Sequence, residues 1–577
     1  MWRVPLLSVV QRYHEPLTYG TSPDGGTAPM SDSEYFDQLF LARFADYSAE
    51  DAVPWARRLW DVGSILSLEE LWEAGDWQRQ GVLSPGAVDW QRRELQRITG
   101  PDLGLGDKDL RRQVQSVLAS PVPDPSPNRR RLRQLIDHGR NGYLNRWSAA
   151  VEAGTHVKPE RLARTVASHL LDLGYSPTYM THWVSSLRRR SCSSLEALEV
   201  ASGLASGGES QFQVLLALVR APQMSQLNSG IRSWCDQRGV SEWLKANGFS
   251  TSGVRAAGGF VLEFKARDPF GAAAQARALA DRLQARSTYL RQGRDGLEVL
   301  PQAWVVGHPR PISLATPARG ADVLSLAKEG LMYRSTEVIT PIDDALEIGA
   351  LVNKGALGPA LSGAWAAIES LLVHPDDPRG DDRWGKAVAA DRLAAVIACS
   401  WPRAELTSLA HHYSPVAEDD PVQSALAQCT TNRQRAWVMV DALKSGLQMQ
   451  FEGRNPASEQ AASQRMQGLL ADPRGTLREV RDAVTIALRR LYRSRNIVLH
   501  GGSTRGVALR SSLRTAAPLF GAGLDRIVHA HASESISALD LAARAECALG
   551  LVGGETGLTV VDLLEDPGTW MPSSEET

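Results

Sequence analysis

The segment from Val484 to Gly502, VTIALRRLYRSRNIVLHGG, limits the fold of this chain more than any other stretch. At about 100° per residue, its apolar side chains gather on one face of a predicted helix, namely Val484, Leu488, Leu491, Val498 and Leu499. Gly501 and Gly502 predict the end of that helix, since glycine commonly follows a helix. Such an apolar stripe is buried against neighbouring elements or a second copy, which favours helical packing here.

The same helix carries charged residues at positions that matter for function. Arg495 falls inside the apolar stripe, where an unpaired guanidinium is costly to bury. A separate polar stripe, with spacings of four, three and four residues, contains Arg489, Arg493, Asn496 and His500. Between residues 483 and 524 there are seven arginines and no acid. Such a segment suits a phosphate-rich partner, and a histidine within it can move protons near neutral pH.

The hexapeptide Arg495-Asn496-Ile497-Val498-Leu499-His500, on a helix that ends in two glycines, resembles the signature of the HEPN superfamily, in particular its Apea-like members. That signature is an arginine, a polar residue directly after it, and a histidine four to six positions beyond the arginine. A second segment, Ser362–Leu372, is similar to an early helix of Apea-like domains, with Trp365 and Glu369 four residues apart. The resemblance is confined to the C-terminal part and implies an all-helical domain that dimerises and cleaves RNA without a metal.

RNA cleavage without a metal uses the substrate's own 2′-hydroxyl as nucleophile. The reaction needs a base for that proton, an acid for the leaving 5′-oxygen, and positive charge on the phosphorane. His500 is predicted to act as base or acid because an imidazole titrates near neutral pH. Arg495 is predicted to bind the nonbridging oxygens with its planar, charged fork, and Asn496 to orient the imidazole or the phosphate.

Further residues complete the predicted site. Arg489, Arg493 and Arg505 are predicted to bind the RNA backbone. Glu369 is predicted to support the site, or alternatively to pair with an arginine and hold two helices in register. One copy of the helix offers one such histidine, so the resemblance implies a dimer in which two copies supply acid and base in one cleft. The five cysteines form no C-x-x-C pair, and neither a metal nor a cofactor is predicted.

The rest of the chain divides by composition, since 577 residues exceed one comfortable core. We predict a mainly α, multidomain protein with helical N-terminal modules, a central small α/β, ferredoxin-like domain and a C-terminal all-α HEPN-like bundle. The predicted divisions are a disordered N-terminus at 1–36, a tryptophan-rich helical module at 37–120, a proline-rich linker at 121–127, a helical module with a basic cluster at 128–207, the α/β domain at 208–335, the HEPN-like domain at 336–560 and a disordered tail at 561–577.

A basic region in the N-terminal half offers a different function. Arg129, Arg130, Arg131 and Arg133 precede two predicted helices, Pro159–Leu173 and Pro177–Arg190, which are joined by a short turn. A helix-turn-helix of this kind binds DNA, with the arginines at 188–190 on phosphates. A helical hairpin with a glycine in its turn is also a common structural unit, so both interpretations stay open.

The resemblance and the residues that carry it imply a metal-independent endoribonuclease, as a regulated bacterial effector of anti-phage defence or a toxin-like protein. The predicted partners are RNA, a second copy or a higher oligomer, and a regulatory or phage-derived protein. The alternatives are a catalytically inactive, dimer-forming HEPN-like scaffold and a DNA-binding protein acting through residues 128–201. Five scattered cysteines and the absence of a long apolar run in the sequence favour a cytoplasmic protein without a membrane segment.

Overall fold

The computed structural model describes residues 32–49, 53–220, 233–289, 297–334, 339–377, 387–415, 417–447, 449–452, 455–555 and 557–566. These residues form 21 α-helices and seven strands. The prediction of a mainly helical chain with a small sheet in its middle is confirmed. Most of the segment predicted to be disordered at 1–36 lies outside the described residues, but the first helix already begins at Asp32.

The N-terminal unit consists of the first nine helices and has one hydrophobic core. They are α1 (Asp32–Ser48), α2 (Ser64–Arg79), α3 (Pro85–Thr99), α4 (Lys108–Leu118), α5 (Pro127–Arg140), α6 (Tyr143–Glu152), α7 (Pro159–Asp172), α8 (Pro177–Arg189) and α9 (Ser194–Ser206). Helices on both sides of residues 121–127 contribute to this core. The predicted linker is corrected to a packed segment, because Val122 is 2% exposed and Asp124 pairs with Arg129. The modules predicted at 37–120 and 128–207 are therefore one unit.

A repeated Ser-Pro pair explains where three of these helices begin. Ser84, Ser126 and Ser176 each accept a hydrogen bond from the amide three residues on, and proline occupies the next position. The hydroxyl satisfies an amide that the first turn leaves unpaired, while the fixed φ and missing N–H of proline suit that position. The predicted hairpin is present as α7 and α8, ending within a residue of the predicted bounds.

The α/β unit is a five-stranded antiparallel sheet between two helices. Its strands are β1 (Ser210–Arg220), β2 (Trp234–Asp236), β3 (Gly258–Ala266), β4 (Glu298–Val305) and β5 (Ile312–Ser313), in the spatial order β2-β3-β1-β4-β5. Alternate residues of β1 face opposite sides, so Leu215 packs under α10 (Gln237–Ala246) and Leu216 under α11 (Pro269–Thr288). The described elements run β-β-α-β-α-β-β, which differs from the βαββαβ order of the predicted ferredoxin-like fold.

The C-terminal bundle contains the remaining helices around a second large core. They are α12 (Leu324–Lys328), α13 (Pro341–Gly349), α14 (Leu357–Leu372), α15 (Val388–His412), α16 (Pro421–Gln428), α17 (Asn432–Lys444), α18 (Pro456–Ala471), α19 (Pro473–Leu499), α20 (Leu509–Glu534) and α21 (Ala538–Leu551). Two short strands, β6 (Tyr413–Ser414) and β7 (Gln450–Phe451), pair antiparallel. Val561 and Leu563 are buried in the core, so the predicted disorder does not begin at 561, and residues 567–577 lie outside the described residues.

Helix α19 contains the segment with the arginine–histidine pattern and begins at Pro473, earlier than predicted. Asp472 accepts a hydrogen bond from the amide of Gly475 and caps this end of the helix. The predicted apolar stripe is buried at Val484, Leu488 and Leu491. It does not extend to Leu499, which is 51% exposed, although Ile497 in the same turn is 6% exposed and packs in the core.

The N-terminal unit and the C-terminal bundle meet through buried ion pairs. Arg57 donates to the two carboxylate oxygens of Glu459 at 2.6 and 2.8 Å and to Glu405 at 3.3 Å. Arg465 also binds Glu405, at 3.1 Å, and pairs with Glu160 of the N-terminal unit. Charges buried at such an interface must be matched, because a partner left alone would lose its hydration without compensation.

Candidate active site

The predicted catalytic residues lie together at the carboxyl end of α19. Nη1 of Arg495 donates to Oδ1 of Asn496 at 3.0 Å and lies 3.2 Å from Nε2 of His500. A guanidinium only donates, so this contact is a hydrogen bond when Nε2 carries no proton. Nη2 of Arg495 lies 3.9 Å from Oε2 of Glu369. The structure therefore brings together all four residues that the sequence singled out as catalytic or supporting.

The end of α19 fixes where His500 leaves the helix. The carbonyl of Asn496 accepts hydrogen bonds from the amides of His500, at 2.8 Å, and Gly501, at 3.3 Å. Gly502 follows with a φ of +60°, the left-handed conformation that glycine adopts without strain. Asn496 is buried, whereas His500 is exposed at the surface. The imidazole is thus accessible to a substrate, while the asparagine beside it is held in place.

Glu369 occupies a position compatible with both of its predicted roles. Its Oε2 accepts a hydrogen bond from Nε1 of Trp365 at 2.9 Å. The buried Trp365 ring packs on Tyr492 of α19, with centroids 4.7 Å apart, so these contacts also hold α14 and α19 in register. A shallow depression of about 410 Å³ lies at this junction, lined by Ala366, Glu369, Ser370, Val373, Pro375 and Arg495.

Two of the predicted RNA-binding arginines are engaged within the protein. Arg493 donates to Oε1 of Glu70 through Nε at 3.1 Å and Nη2 at 2.7 Å, and its side chain is 4% exposed. Arg489 lies over the ring of Trp90 and pairs with Asp391. The buried guanidinium of Arg493 presents no surface to a phosphate, which corrects that predicted contact, whereas Arg489 stays 12% exposed and its predicted contact stays a prediction. Arg505 lies at the exposed surface, as its predicted role requires.

The acid-free segment at 483–524 is also largely neutralised by the fold. Five of its seven arginines pair with carboxylates from distant segments, in the pairs Arg489–Asp391, Arg490–Glu70, Arg493–Glu70, Arg495–Glu369 and Arg514–Asp172. Arg505 and Arg510 are the exposed members of the set. A local count of charge therefore overstates the positive surface, since the compensating acids are far away in sequence.

The basic cluster of the alternative DNA site is affected in the same way. Arg129 is buried, stacks on the ring of Trp72, and pairs with Asp76 and Asp124. Arg129 is therefore a structural residue of the N-terminal unit, and this member of the basic cluster is not available to DNA. Arg130 and Arg131 are exposed on the same helix. The hairpin formed by α7 and α8 is compatible with either interpretation of its function.

The predicted site included no residue of α2, although this helix reaches the end of α19. Glu70, Glu73 and Trp77 share one face of this helix at spacings of three and four residues. Burial would raise the pKa of Glu70, but the neighbouring Arg493 and Arg490 outweigh it and hold that pKa below its usual range. Burial raises the pKa of Glu73, which accepts a hydrogen bond from the amide of Val507. A cluster of glutamates with a tryptophan at helical spacing was the available signal.

The chain was compared with protein families, with curated proteins and with solved structures. The chain matches no family model, no curated protein and no solved structure. Within the part of the chain that the structure describes, no three histidine, cysteine or acidic side chains are grouped so that they could hold a metal ion. None of the described helices has the length and apolar character needed to cross a bilayer.

Proposed function

We propose that this chain is a metal-independent endoribonuclease of the HEPN type, acting through a composite site that two copies form together. The observation that supports it most is the contact of one arginine with both Asn496 and His500 at an exposed helix end. A permanently charged fork beside a titratable imidazole matches the needs of phosphoryl transfer from RNA. We propose that the protein acts in the cytoplasm.

In the proposed reaction the 2′-oxygen attacks the adjacent phosphorus and the 5′-oxygen of the next nucleotide leaves, which yields a 2′,3′-cyclic phosphate. One His500 removes the 2′ proton and a second His500, from the other copy, donates a proton to the leaving oxygen. Arg495 stabilises the charge that builds on the nonbridging oxygens. The exposed Leu499 next to His500 offers apolar surface against which a second copy would pack.

The direct test is cleavage of end-labelled RNA in EDTA by the wild type, His500→Ala and Arg495→Ala. Each substitution should lower the rate about 100-fold or more while the oligomeric state, measured by light scattering, is unchanged. His531→Ala and Arg474→Ala are matched controls, because both residues are exposed in the same bundle, His531 near the far end of α20 and Arg474 at the opposite end of α19 from Arg495. Products should end in a cyclic phosphate. Cleavage that survives in His500→Ala, or needs a divalent ion, would contradict the proposal.

Mixing subunits tests the composite site. When wild type and His500→Ala are combined and allowed to exchange, a site that needs two histidines is active only in wild-type pairs. Activity should then fall with the square of the wild-type fraction. A linear dependence would show that each copy acts alone, which the two-histidine mechanism does not allow.

The biological role proposed here rests on the HEPN resemblance. A regulated effector of anti-phage defence, or a toxin-like protein, fits an RNase that carries an N-terminal unit and an α/β unit beside its catalytic bundle. A regulatory or phage-derived protein is the proposed trigger. Wild type that leaves RNA intact, while retaining a dimer, would favour the alternative of a catalytically inactive scaffold.

A further inference from the structure

Helix α2 of the N-terminal unit lies along the carboxyl half of α19 and is anchored there by charge. Oε2 of Glu70 accepts from Nε of Arg490 at 2.9 Å, and Oε1 accepts from Arg493. All three side chains are at least nine-tenths buried. A carboxylate shared by two guanidiniums fixes both the distance and the register between the helices. The residues that follow Glu70 on the same face are thereby aimed at the end of α19.

One turn further along α2, Glu73 holds the loop after His500. Its Oε2 accepts a hydrogen bond from the amide of Val507 at 3.0 Å. This amide lies close to the start of α20, so the contact fixes the far end of the short connection between α19 and α20. The near end of that connection is His500 itself.

Another turn along, Trp77 packs against the residue that follows His500. A methyl group placed on Gly501 would lie 2.9 Å from Cζ3 of Trp77 and 2.6 Å from the carbonyl oxygen of Ile497. Glycine is therefore required at 501 for Trp77 to lie this close to the backbone. The indole packs against the chain directly after His500. The only side-chain hydrogen bond that His500 makes within the described residues is to Arg495. The direction of its ring thus depends on a backbone that Trp77 and Glu73 hold.

We propose, building on the ribonuclease function above, that Glu73 and Trp77 are positioning residues for His500 and that the N-terminal unit completes the active site. They touch no reacting atom. They fix the backbone on either side of the 501–507 loop, so that the imidazole stays within reach of Arg495 and of the scissile phosphate. Catalytic groups held loosely by even about 1 Å lose much of their effect, because the reacting atoms must be aligned.

The test uses the full chain with Glu73→Leu and Trp77→Leu, beside matched controls in the same helix. Glu69→Leu removes a carboxylate that pairs with Arg140, and Trp72→Leu removes a ring that packs on Arg129, so both controls perturb only the N-terminal unit. The first two variants should lower kcat about tenfold or more with KM unchanged, while the controls keep both values. Trp77→Phe, which keeps a ring beside Gly501, should restore most of kcat. An unchanged kcat in folded Glu73→Leu would overturn the proposal. A higher kcat would also overturn it, because it would indicate that α2 covers the site and hinders the substrate.

Two measurements that need no RNA separate this inference from the proposed function. Amide hydrogen exchange at residues 501–507 should be faster in Glu73→Leu and Trp77→Leu than in the wild type, and unchanged in the two control variants. The rate at which diethyl pyrocarbonate modifies His500 should change in the same two variants. If wild type cleaves no RNA but these changes appear, the positioning role stands and the ribonuclease fails. If the wild type cleaves RNA and all variants match it in hydrogen exchange, labelling and kcat, the positioning role is wrong while the ribonuclease function stands. Glu73→Leu decides the matter if Trp77→Leu does not fold.

Discussion

Two arginines of one predicted RNA-binding set have opposite surroundings. Arg493 is buried against Glu70, and Arg505 is exposed. Burial lowers the pKa of Arg493 and repulsion from Arg490 adds to this, although the attraction of Glu70 opposes both. One carboxylate shared between two guanidiniums leaves an excess positive charge in a buried place. Arg493 therefore belongs to the packing between the units, whereas Arg505 is available to a ligand.

This contrast predicts different outcomes for the same chemical change. Arg493→Gln should lower the free energy of unfolding by only about 1.5 kcal/mol, because it removes charged hydrogen bonds to Glu70 while Arg490 still balances that carboxylate. Arg505→Gln should change that free energy by less than about 0.5 kcal/mol. It should instead weaken binding of a 2′-O-methyl oligonucleotide and make the logarithmic salt dependence shallower by about 0.7, the contribution of one phosphate contact on a single strand. Urea titrations and fluorescence anisotropy measure the two effects. A stable Arg493→Gln variant with weakened RNA binding would reverse the assignment.

At the scale of elements, α19 separates a structural end from a functional end. Its N-terminal cap, Asp472, lies about 40 Å from His500 at a rise of about 1.5 Å per residue. The cap satisfies an amide of the first turn, and the other end carries the candidate site. Damage at one end is therefore expected to leave the other unchanged.

Asp472→Ala should cost about 1 kcal/mol of stability, the usual loss when a capping side chain is removed. Hydrogen exchange should quicken in the first turn of α19 and remain unchanged near Leu499. The kcat for RNA should be the same as that of the wild type at temperatures well below Tm. Asp540→Ala, outside this helix, provides a comparison for a change of the same type. Lost activity in a folded Asp472→Ala protein would show that α19 acts as one rigid body through its whole length.

Most helices and strands could be predicted from the sequence, but the distant residues that they contact could not. The strand at 258–266 and the helices α7 and α8 follow from periodicity, Ser-Pro caps and glycine turns, which are local signals. The site cluster of Arg495, Asn496 and His500 is also local, since six residues contain it. Glu70 lies 420 residues from Arg490, and no local pattern pairs them. For the same reason the proline-rich 121–127 segment was misassigned, because composition does not reveal that Val122 enters a core.

At the scale of the whole molecule, the two helical units are joined by charge as well as by packing. The pKa values of Glu70, Glu160 and Glu405 are all held low, because nearby arginines outweigh the effect of burial. A carboxyl with a lowered folded pKa contributes stability above its unfolded pKa, about 4.3, and that contribution is lost as the pH falls through the folded value. Acid is therefore expected to separate the units. High salt is expected to have less effect, since buried pairs are poorly screened.

His169 should cause a second loss of folding stability in acid, at higher pH than the loss caused by the carboxylates. It is buried against Tyr143, with ring centroids 4.5 Å apart, and burial lowers its pKa to about 3. Between about pH 6.5 and 3 the unfolded chain binds a proton that the folded protein does not, so stability falls by up to about 1.4 kcal/mol per pH unit. His169→Phe, which keeps a ring against Tyr143, should flatten the loss of stability between pH 6.5 and 4.5. The carboxylate response below that range should remain. Urea midpoints measured across pH check both parts, and parallel curves for wild type and variant would contradict the assignment to His169.

The pairing of Glu70 with Arg490 and Arg493 also has a consequence for synthesis. The ribosome makes Glu70 420 residues before Arg490, which at about 5–20 residues per second is a delay of roughly 20 to 80 seconds. The first nine helices can assemble in that interval, since they have a core of their own. The carboxyl end of α19 can dock on α2 only after Arg490 and Arg493 have left the ribosome, when α2 is already folded. The proposed ribonuclease would then be inert on the ribosome and acquire its activity only after release.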